Sequence, residues 1–183
     1  MVSDQNTYRV CGKDVAEILG EKITANIMFE TGNAPLIPDE EAIAAIHAKF
    51  YDGVDLVLGV GSGVINDLCK IVSFERELPY YIVATAPSMD GYASGTSSMA
   101  MDGLKVSLPS ACANVIIGDI DILKDAPKRL LQAGLGDMLA KYISICEWKI
   151  AHLLIGEYYC EEVADLIRQA LKKCTDNAEA LLN

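Results

Sequence analysis

The segment from Asp55 to Lys70 constrains the fold of this chain more than any other part of its sequence. Its apolar run from Leu56 to Val60 is typical of a buried strand. The turn Gly61-Ser62-Gly63 follows, and the apolar residues after it repeat at the spacing of one helix face. These residues are Val64, Ile65, Leu68, Ile71 and Val72. The sequence therefore predicts a buried strand, a glycine turn and a helix that begins directly after the turn.

The glycine turn is a candidate phosphate-binding site. Glycines have no Cβ, so backbone N–H groups at such a turn can approach a phosphate, and the following helix adds the positive end of its dipole. The spacing Gly59-x-Gly61-x-Gly63 differs from the dinucleotide-binding fingerprint and from the P-loop. The same glycines also suit a tight connection in which the helix packs closely on the sheet, so both interpretations stay open.

Length and charge argue against several classes of protein. The 183 residues are enough for one substantial domain, or for one domain and part of another, and 51% of them are hydrophobic. The net charge of -11 and the sequence pI near 4.5 argue against binding to nucleic acid or to an anionic membrane surface. We therefore expect neither as a partner.

We also expect neither an export signal nor a membrane span. No basic start precedes an apolar core, and no apolar run approaches the length of a spanning helix. The six cysteines are scattered without a C-x-x-C pair. Without an export signal, we interpret these cysteines as reduced thiols, which are typical of a cytoplasmic protein.

Strand and helix patterns alternate along the first part of the chain. Strands are predicted at 25–30, 56–60, 80–85 and 113–118, and helices at 14–23, at 38–50 and after Gly63. The pair Asp102-Gly103 is typical of a hairpin turn. This alternation predicts an α/β fold, with a Rossmann-like, mostly parallel sheet that carries helices on both faces.

From Ala126 onward the sequence contains helix patterns only, and Gly156 is the predicted break between helices. We expect a dinucleotide-binding α/β domain over residues 1–125. Residues 126–183 would then be the first helices of an all-α domain, which we interpret as truncated. The apolar face of so small a helical layer needs a cover, from another copy or from further chain, and we expect a homo-oligomer.

The loop from Thr85 to Ser94 offers polar groups where a predicted strand ends. Its carboxylate, Asp90, and its hydroxyls suit the oxygens of phosphate, ribose or a polyol, and ligands of open parallel sheets bind outside the carboxyl ends of the strands. The hydroxyls include those of Thr85, Ser88 and Ser94. An ordinary loop uses the same residue types to satisfy its own backbone, so this alternative stays open.

The segment from Gly134 to Lys141 is a third candidate. Gly134 and Gly136 interrupt a helical pattern at a cost of about 1 kcal/mol each, which suggests the close approach of another group. Asp137 beside them is either a metal ligand or the partner of Lys141 in an i,i+4 ion pair. The spacing alone favours the ion pair.

Three sequence blocks occur in order along the chain. They are Gly61-Ser62-Gly63-Val64-Ile65-Asn66-Asp67, Thr85-Ala86-Pro87-Ser88-Met89-Asp90-Gly91-Tyr92-Ala93-Ser94 and Gly136-Asp137-Met138-Leu139-Ala140-Lys141. Together they resemble the sn-glycerol-1-phosphate dehydrogenase family. That family belongs to the superfamily of iron-containing alcohol dehydrogenases, glycerol dehydrogenases and 3-dehydroquinate synthases. The resemblance begins at about Cys11 and implies a dehydroquinate synthase-like fold.

The resemblance implies a role for each block. The implied contacts to NAD(H) or NADP(H) are Gly61, Ser62, Gly63, Val64, Ile65, Thr85, Ala86, Pro87, Ser88 and Ser94. The first five would cradle the pyrophosphate, and Glu30 would lie near the adenosine ribose. Asp90 would hold a substrate hydroxyl, and Asp137 would bind both the substrate and a divalent metal, zinc or nickel. Asp90 and Asp137 are therefore the implied catalytic residues.

The implied reaction is hydride transfer from NAD(P)H to dihydroxyacetone phosphate, which gives sn-glycerol 1-phosphate, with the metal as Lewis acid. Two alternatives stay open. One is a dehydrogenase of glycerol or another polyol, and the other is a non-catalytic NAD-binding module.

The metal site of the family also needs two histidines from the distal part of the helical domain. This chain has His47 and His152. His152 would be about 22 Å from Asp137 along a continuous helix, and His47 lies on the helix before the glycine turn. Neither suits the site. We therefore expect a fragment that is inactive alone, with its metal site completed by histidines absent from this chain.

Overall fold

The computed structural model describes residues 1–182, and these residues form two compact units. The first unit comprises Met1–Pro87 and Gly91–Ala126, and the second comprises Ser88–Asp90 and the chain from Pro127 onward. The three residues Ser88–Asp90 therefore belong to a different unit from their neighbours on both sides.

The first unit contains all the strands of the described chain. These are β1 (Val2–Asp4), β2 (Ile27–Phe29), β3 (Val57–Gly61), β4 (Tyr80–Ala84), β5 (Thr96–Met101), β6 (Leu104–Pro109) and β7 (Val115–Ile117). Five of them form a parallel sheet in the order β2-β1-β3-β4-β7. The remaining two, β5 and β6, pair as an antiparallel hairpin.

Eight α-helices accompany the strands in the described residues. They are α1 (Gln5–Thr7), α2 (Lys13–Leu19), α3 (Glu40–His47), α4 (Gly63–Glu75), α5 (Ile120–Leu123), α6 (Lys128–Ile155), α7 (Glu161–Asp176) and α8 (Ala178–Leu182). A π-helical turn over Tyr8–Gly12 joins α1 to α2, and short 3₁₀ turns cover Gly20–Lys22 and Gly91–Ala93. Nowhere in residues 1–182 is a helix both long and apolar enough to cross a membrane.

Helices cover both faces of the parallel sheet. On one face, Val60 and Val83 pack with Cys11 of the π-helical turn, and Val15 of α2 and Ile122 of α5 contact the same cluster. The other face is covered by α4, whose buried apolar residues are Ile65, Leu68, Cys69, Ile71 and Val72. The predicted α/β fold with a mostly parallel sheet is therefore confirmed.

The hairpin of β5 and β6 has the turn that its sequence predicts. Met101 pairs with Leu104, and the two residues between them, Asp102 and Gly103, have φ values of 51° and 76°. Positive φ at both central residues defines a type I′ turn, whose twist matches that of the flanking strands. The prediction of a hairpin at Asp102-Gly103 is confirmed.

The second unit is helical throughout its described residues. The 28-residue helix α6 ends at Gly156, which has a left-handed φ of 72° and donates its N–H to the carbonyl of His152. A buried cluster joins α6 to α7 through Ile145, Ala164 and Leu171. The predicted helix break at Gly156 is confirmed, because only a residue that tolerates a positive φ can end a helix in this way.

Several element boundaries differ from the predicted ones. The sequence predicts nothing before residue 14, yet β1, α1 and the π-helical turn lie there. A strand of three residues is too short to show a period, and it forms because β2 and β3 pair with it on both sides. The helix predicted over 14–23 ends at Leu19, because Gly20 takes a positive φ of 53°.

Candidate functional site

The strand order places a crevice between β1 and β3. The chain runs from β1 outward to β2 and then returns to β3 on the other side of β1. Ligands of open α/β sheets bind at such a switch point, outside the carboxyl ends of the strands. Ser3 pairs with Val60, so the register brings Asp4 level with Gly61 at this edge. The crevice therefore has a carboxylate on one side and the glycine turn on the other.

The N-terminus of α4 opens from this turn with free backbone donors. Ser62 is the N-cap residue, and its side chain forms no capping hydrogen bond with any residue that the structure describes. The first hydrogen bond of the helix runs from the Asn66 N–H to the Ser62 carbonyl at 2.9 Å. The N–H groups of Gly63, Val64 and Ile65 precede it, and such groups together with the helix dipole form an anion-binding site.

Packing explains two of the three glycines in the motif. A Cβ at Gly59 would lie 2.9 Å from Cδ1 of Ile82 and 3.0 Å from the hydroxyl of Tyr80. A Cβ at Gly61 would lie 2.6 Å from Cβ of Ile65. Gly61 is therefore required for close contact between the turn and α4, and Gly59 for close packing against side chains of β4. Close packing, one of the two interpretations of the motif, accounts for both glycines. The case for phosphate binding depends on the helix N-terminus rather than on these glycines.

The start of the Thr85 loop is tied to the same turn. The Thr85 N–H donates to the carbonyl of Gly61 at 3.1 Å. The Tyr92 hydroxyl donates to the carbonyl of Ala86 at 2.8 Å, and burial raises the pKa of Tyr92 to about 12, so this donor keeps its proton. The structure thus brings Gly61, Thr85 and Ala86 together at the carboxyl edge of β3 and β4.

Ser94 is held by other residues of the first unit. Its hydroxyl accepts a hydrogen bond from Nζ of Lys70 at 3.0 Å and donates one to the carbonyl of Thr96 at 2.8 Å. This hydroxyl therefore already has a donor and an acceptor within the protein. Its implied contact with the dinucleotide stays a prediction, as do those of Pro87 and Ser88.

The two implied catalytic carboxylates lie together in the second unit. The backbone N–H of Asp90 donates to Oδ2 of Asp137 at 2.9 Å. Nζ of Lys141 lies 3.0 Å from Oδ2 of Asp90 and 3.8 Å from Oδ1 of Asp137. Lys141 therefore pairs more closely with Asp90 than with its i,i+4 neighbour. Its positive charge reduces the repulsion between the two carboxylates.

The described residues do not complete a metal site around Asp137. Nε2 of His47 lies 2.7 Å from Oε2 of Glu75, and Nδ1 of His47 accepts from Nε of Arg76 at 3.1 Å. Nδ1 of His152 lies 2.7 Å from the carbonyl of Glu157. Across residues 1–182, no three side chains of His, Cys, Asp or Glu are grouped to hold a metal ion.

Two residues of the site were missed or undervalued in the sequence. Asp4 follows a strand too short to recognise, and its Oδ1 caps α1 by accepting from Asn6 at 2.7 Å and Thr7 at 2.9 Å. The spacing of Lys141 indicates only an i,i+4 pair with Asp137, whereas its closer partner is Asp90. The sequence does contain one signal for Asp4, since this acidic residue directly follows Val2 and Ser3, which are buried in β1.

Curated proteins of one name are similar to this chain over nearly its whole length. Glycerol-1-phosphate dehydrogenase [NAD(P)+] of Halalkalibacterium halodurans is 33% identical over 99% of this chain and 46% of its own length. The protein of the same name from Geobacillus thermodenitrificans is 32% identical over 98% of this chain and 45% of its own length. The chain therefore spans about half the length of these curated relatives.

Solved structures share the fold. The crystal structure of a probable glycerol dehydrogenase from Sinorhizobium meliloti 1021 aligns with a TM-score of 0.75 and 20% identity, over 97% of this chain and 49% of that one. Residues 1–127 match the family described as iron-containing alcohol dehydrogenase, so the match starts before Cys11, where the motif-based resemblance begins. The chain belongs to the iron-containing alcohol dehydrogenase family.

Proposed function

We propose that this chain provides the nucleotide-binding part of an NAD(P)-dependent dehydrogenase that reduces dihydroxyacetone phosphate to sn-glycerol 1-phosphate. The observation that carries the proposal is the uncapped N-terminus of α4 at the switch point of the sheet, level with Asp4. The names of the relatives support the choice of substrate and coenzyme, since both of the relatives described above are glycerol-1-phosphate dehydrogenases.

The residues of the first unit would bind the dinucleotide. The N–H groups of Gly63, Val64 and Ile65 would donate to the pyrophosphate, whose negative charge the helix dipole favours. The carboxylate of Asp4 would accept from a ribose hydroxyl. When bound, NAD(P)H supplies the hydride that the ketone carbon receives.

The residues of the second unit would bind the substrate. Asp90 and Asp137 offer carboxylate oxygens to hydroxyl groups, and Lys141 keeps the two acidic groups close together. Asp137 would also be one ligand of a divalent metal, zinc or nickel. The other ligands would have to come from residues other than those described, because residues 1–182 do not group a complete set.

A non-catalytic NAD-binding module is the second candidate for the chain as given. The incomplete ligand set around Asp137 in the described residues favours it. We also propose that the protein works as a homo-oligomer in the cytoplasm. Exposed apolar side chains on α6, including Ile143, Leu153 and Leu154, support a covered helical face in the working enzyme.

The test combines binding with turnover. NADH and NADPH are titrated into the chain. Oxidation of NADH is followed in the product of the uninterrupted reading frame, with dihydroxyacetone phosphate and with added zinc or nickel. Asp137→Asn is compared with Asp176→Asn, a matched change in an exposed i,i+4 pair with Lys172 on α7. Turnover that disappears only in Asp137→Asn supports the dehydrogenase.

The other outcomes decide between the alternatives. Activity with glycerol but not with the ketone phosphate would move the protein to the polyol dehydrogenases. Tight NADH binding without turnover on either substrate supports the binding module. A chain that binds neither NADH nor NADPH would contradict the proposed function as a whole.

A further inference from the structure

A fully buried lysine lies in the middle of α4. The side chain of Lys70 has 0% exposure, and its Nζ lies 3.1 Å from Oδ1 of Asp67, whose side chain is 19% exposed. Lysines are almost never fully buried unless they are paired. Burial raises the pKa of Asp67, although the charge of Lys70 acts in the opposite direction. The pair therefore lies in a poorly hydrated part of the protein, where unpaired donors are costly.

The ammonium of Lys70 is directed at one short segment, Gly91–Thr96. It donates to the carbonyl of Gly91 at 3.2 Å, to Oγ of Ser94 at 3.0 Å and to the carbonyl of Thr96 at 2.5 Å. An ammonium has three hydrogens, and these three acceptors together with Oδ1 of Asp67 already exceed that number. Lys70 has no donor left for a phosphate or a substrate.

A second residue of α4 holds the same segment. Nδ2 of Asn66 donates to the carbonyl of Gly91 at 3.2 Å, and Oδ1 of Asn66 accepts from the Tyr80 hydroxyl at 3.1 Å. Asn66 and Lys70 are one turn apart on the helix, so they face the same way. The carbonyl of Gly91 thus receives two hydrogen bonds from α4.

We propose that Lys70 is a positioning residue that fixes the Gly91–Thr96 segment and so gives the Thr85 loop the conformation in which it binds the dinucleotide. This inference rests on the proposed function. The first turn of α4 would hold the pyrophosphate, and Lys70, two turns further along, holds the end of the loop that would contact the rest of the coenzyme. One helix therefore sets the spacing of both contacts, and preorganisation of this kind raises affinity without a direct contact.

The experiment compares two variants of the same ion pair. Lys70→Met removes the three hydrogen bonds to the segment, whereas Asp67→Asn removes the opposite charge but leaves those bonds in place. Asp67 accepts from the backbone N–H of Ser98 at 3.3 Å and forms no hydrogen bond with Gly91–Thr96. Circular dichroism first establishes a temperature at which each variant is folded, and NADH is then titrated at that temperature.

We expect Lys70→Met to raise the Kd for NADH about tenfold or more, and Asp67→Asn to change it less than about twofold. Hydrogen exchange provides a readout that general destabilisation would not give. Amides 91–96 should exchange faster in Lys70→Met, while those of β4 stay protected in both variants. Lys70→Gln keeps two donors, so its Kd for NADH should lie between those of the wild type and Lys70→Met. This variant replaces Lys70→Met in the test if Lys70→Met does not fold.

The results that overturn the inference differ from those that overturn the proposed function. Lys70 has no positioning role if the wild type binds NADH and the Kd of Lys70→Met is within about twofold of the wild-type value. If Lys70→Met does not fold, the same criterion applies to Lys70→Gln. Equal losses of affinity in Lys70→Met and Asp67→Asn would assign Lys70 to stability alone. A wild type that binds no NADH contradicts both proposals.

Discussion

A Cβ placed on Gly61 would lie 2.6 Å from Cβ of Ile65, four residues further along the chain. This distance is shorter than any real contact between carbon atoms, so the turn from β3 into α4 closes only with glycine at position 61. We expect Gly61→Ala to lower the free energy of unfolding by about 1–3 kcal/mol, because either the helix or the strand must shift. Urea denaturation measures the change, and an unaltered midpoint would contradict the steric argument.

Gly136 in α6 gives the opposite prediction. A Cβ there would meet no atom within 4 Å among the residues described, and the residue lies in the interior of the helix. Gly136→Ala should therefore raise the free energy of unfolding by about 0.5–1 kcal/mol, since alanine loses less backbone entropy than glycine. The two glycine variants serve as controls for each other in the same denaturation experiment. A destabilised Gly136→Ala would indicate a contact at this position that the described residues do not contain.

Asp4, rather than Glu30, should be the carboxylate that contributes to nucleotide binding. Asp4 ends the interior strand β1 at the switch point, whereas Glu30 follows β2 at the edge of the sheet. Asp4→Asn keeps a capping side chain for α1, so its stability should change little. We expect NADH affinity to fall about tenfold in Asp4→Asn and to stay unchanged in the matched variant Glu30→Gln. The reverse result would support the ribose contact that the family resemblance implies for Glu30.

The cysteines should differ in reactivity according to burial. Burial raises the pKa of Cys69 to about 12, whereas Cys112 is exposed. Because the thiolate is the reactive form, iodoacetamide at pH 8 should modify Cys112 and leave Cys69 unmodified. Peptide mass spectrometry identifies the labelled residues, and the same reaction in urea should label both. Equal labelling of Cys69 and Cys112 in the folded chain would contradict the buried position of Cys69.

Metal should have little effect on the chain as given. Asp137 lacks two further ligands among residues 1–182, so neither zinc nor EDTA should shift the unfolding temperature. For the same reason we expect no NADH oxidation by this chain alone with dihydroxyacetone phosphate. If zinc does raise the unfolding temperature, repeating the measurement with Asp137→Asn shows whether that carboxylate is responsible. Turnover by the isolated chain would contradict the prediction of inactivity.

The features that could be predicted from the sequence are those fixed by neighbouring residues. The strand, turn and helix around Gly61 depend on a local pattern of apolar residues, and the hairpin depends on the pair Asp102-Gly103. The break at Gly156 likewise needs only a residue that tolerates positive φ. In each case the residues that determine the element lie within it, so no knowledge of the tertiary structure is required.

The features that could not be predicted depend on residues far apart in the sequence. Lys70 can be buried because acceptors 21 to 26 residues further along the chain satisfy its ammonium. Two of these acceptors are backbone carbonyls, which no sequence pattern reveals. Asp90 and Asp137 are separated by 47 residues, and the family resemblance rather than any spacing suggested that they act together. Strand β1 is stabilised from both sides by partners that lie later in the chain.

The assignment of Ser88–Asp90 to the second unit has a consequence for how such proteins can be rearranged. The chain passes from one unit to the other three times, so no single cut separates them. A gene fusion that replaced everything after Ala126 would keep Asp90 but lose both Asp137 and Lys141. The incoming helices would have to supply a new acceptor for the Asp90 N–H and a new cation for its carboxylate. Recombination within this fold is therefore constrained by the tripeptide Ser88–Asp90.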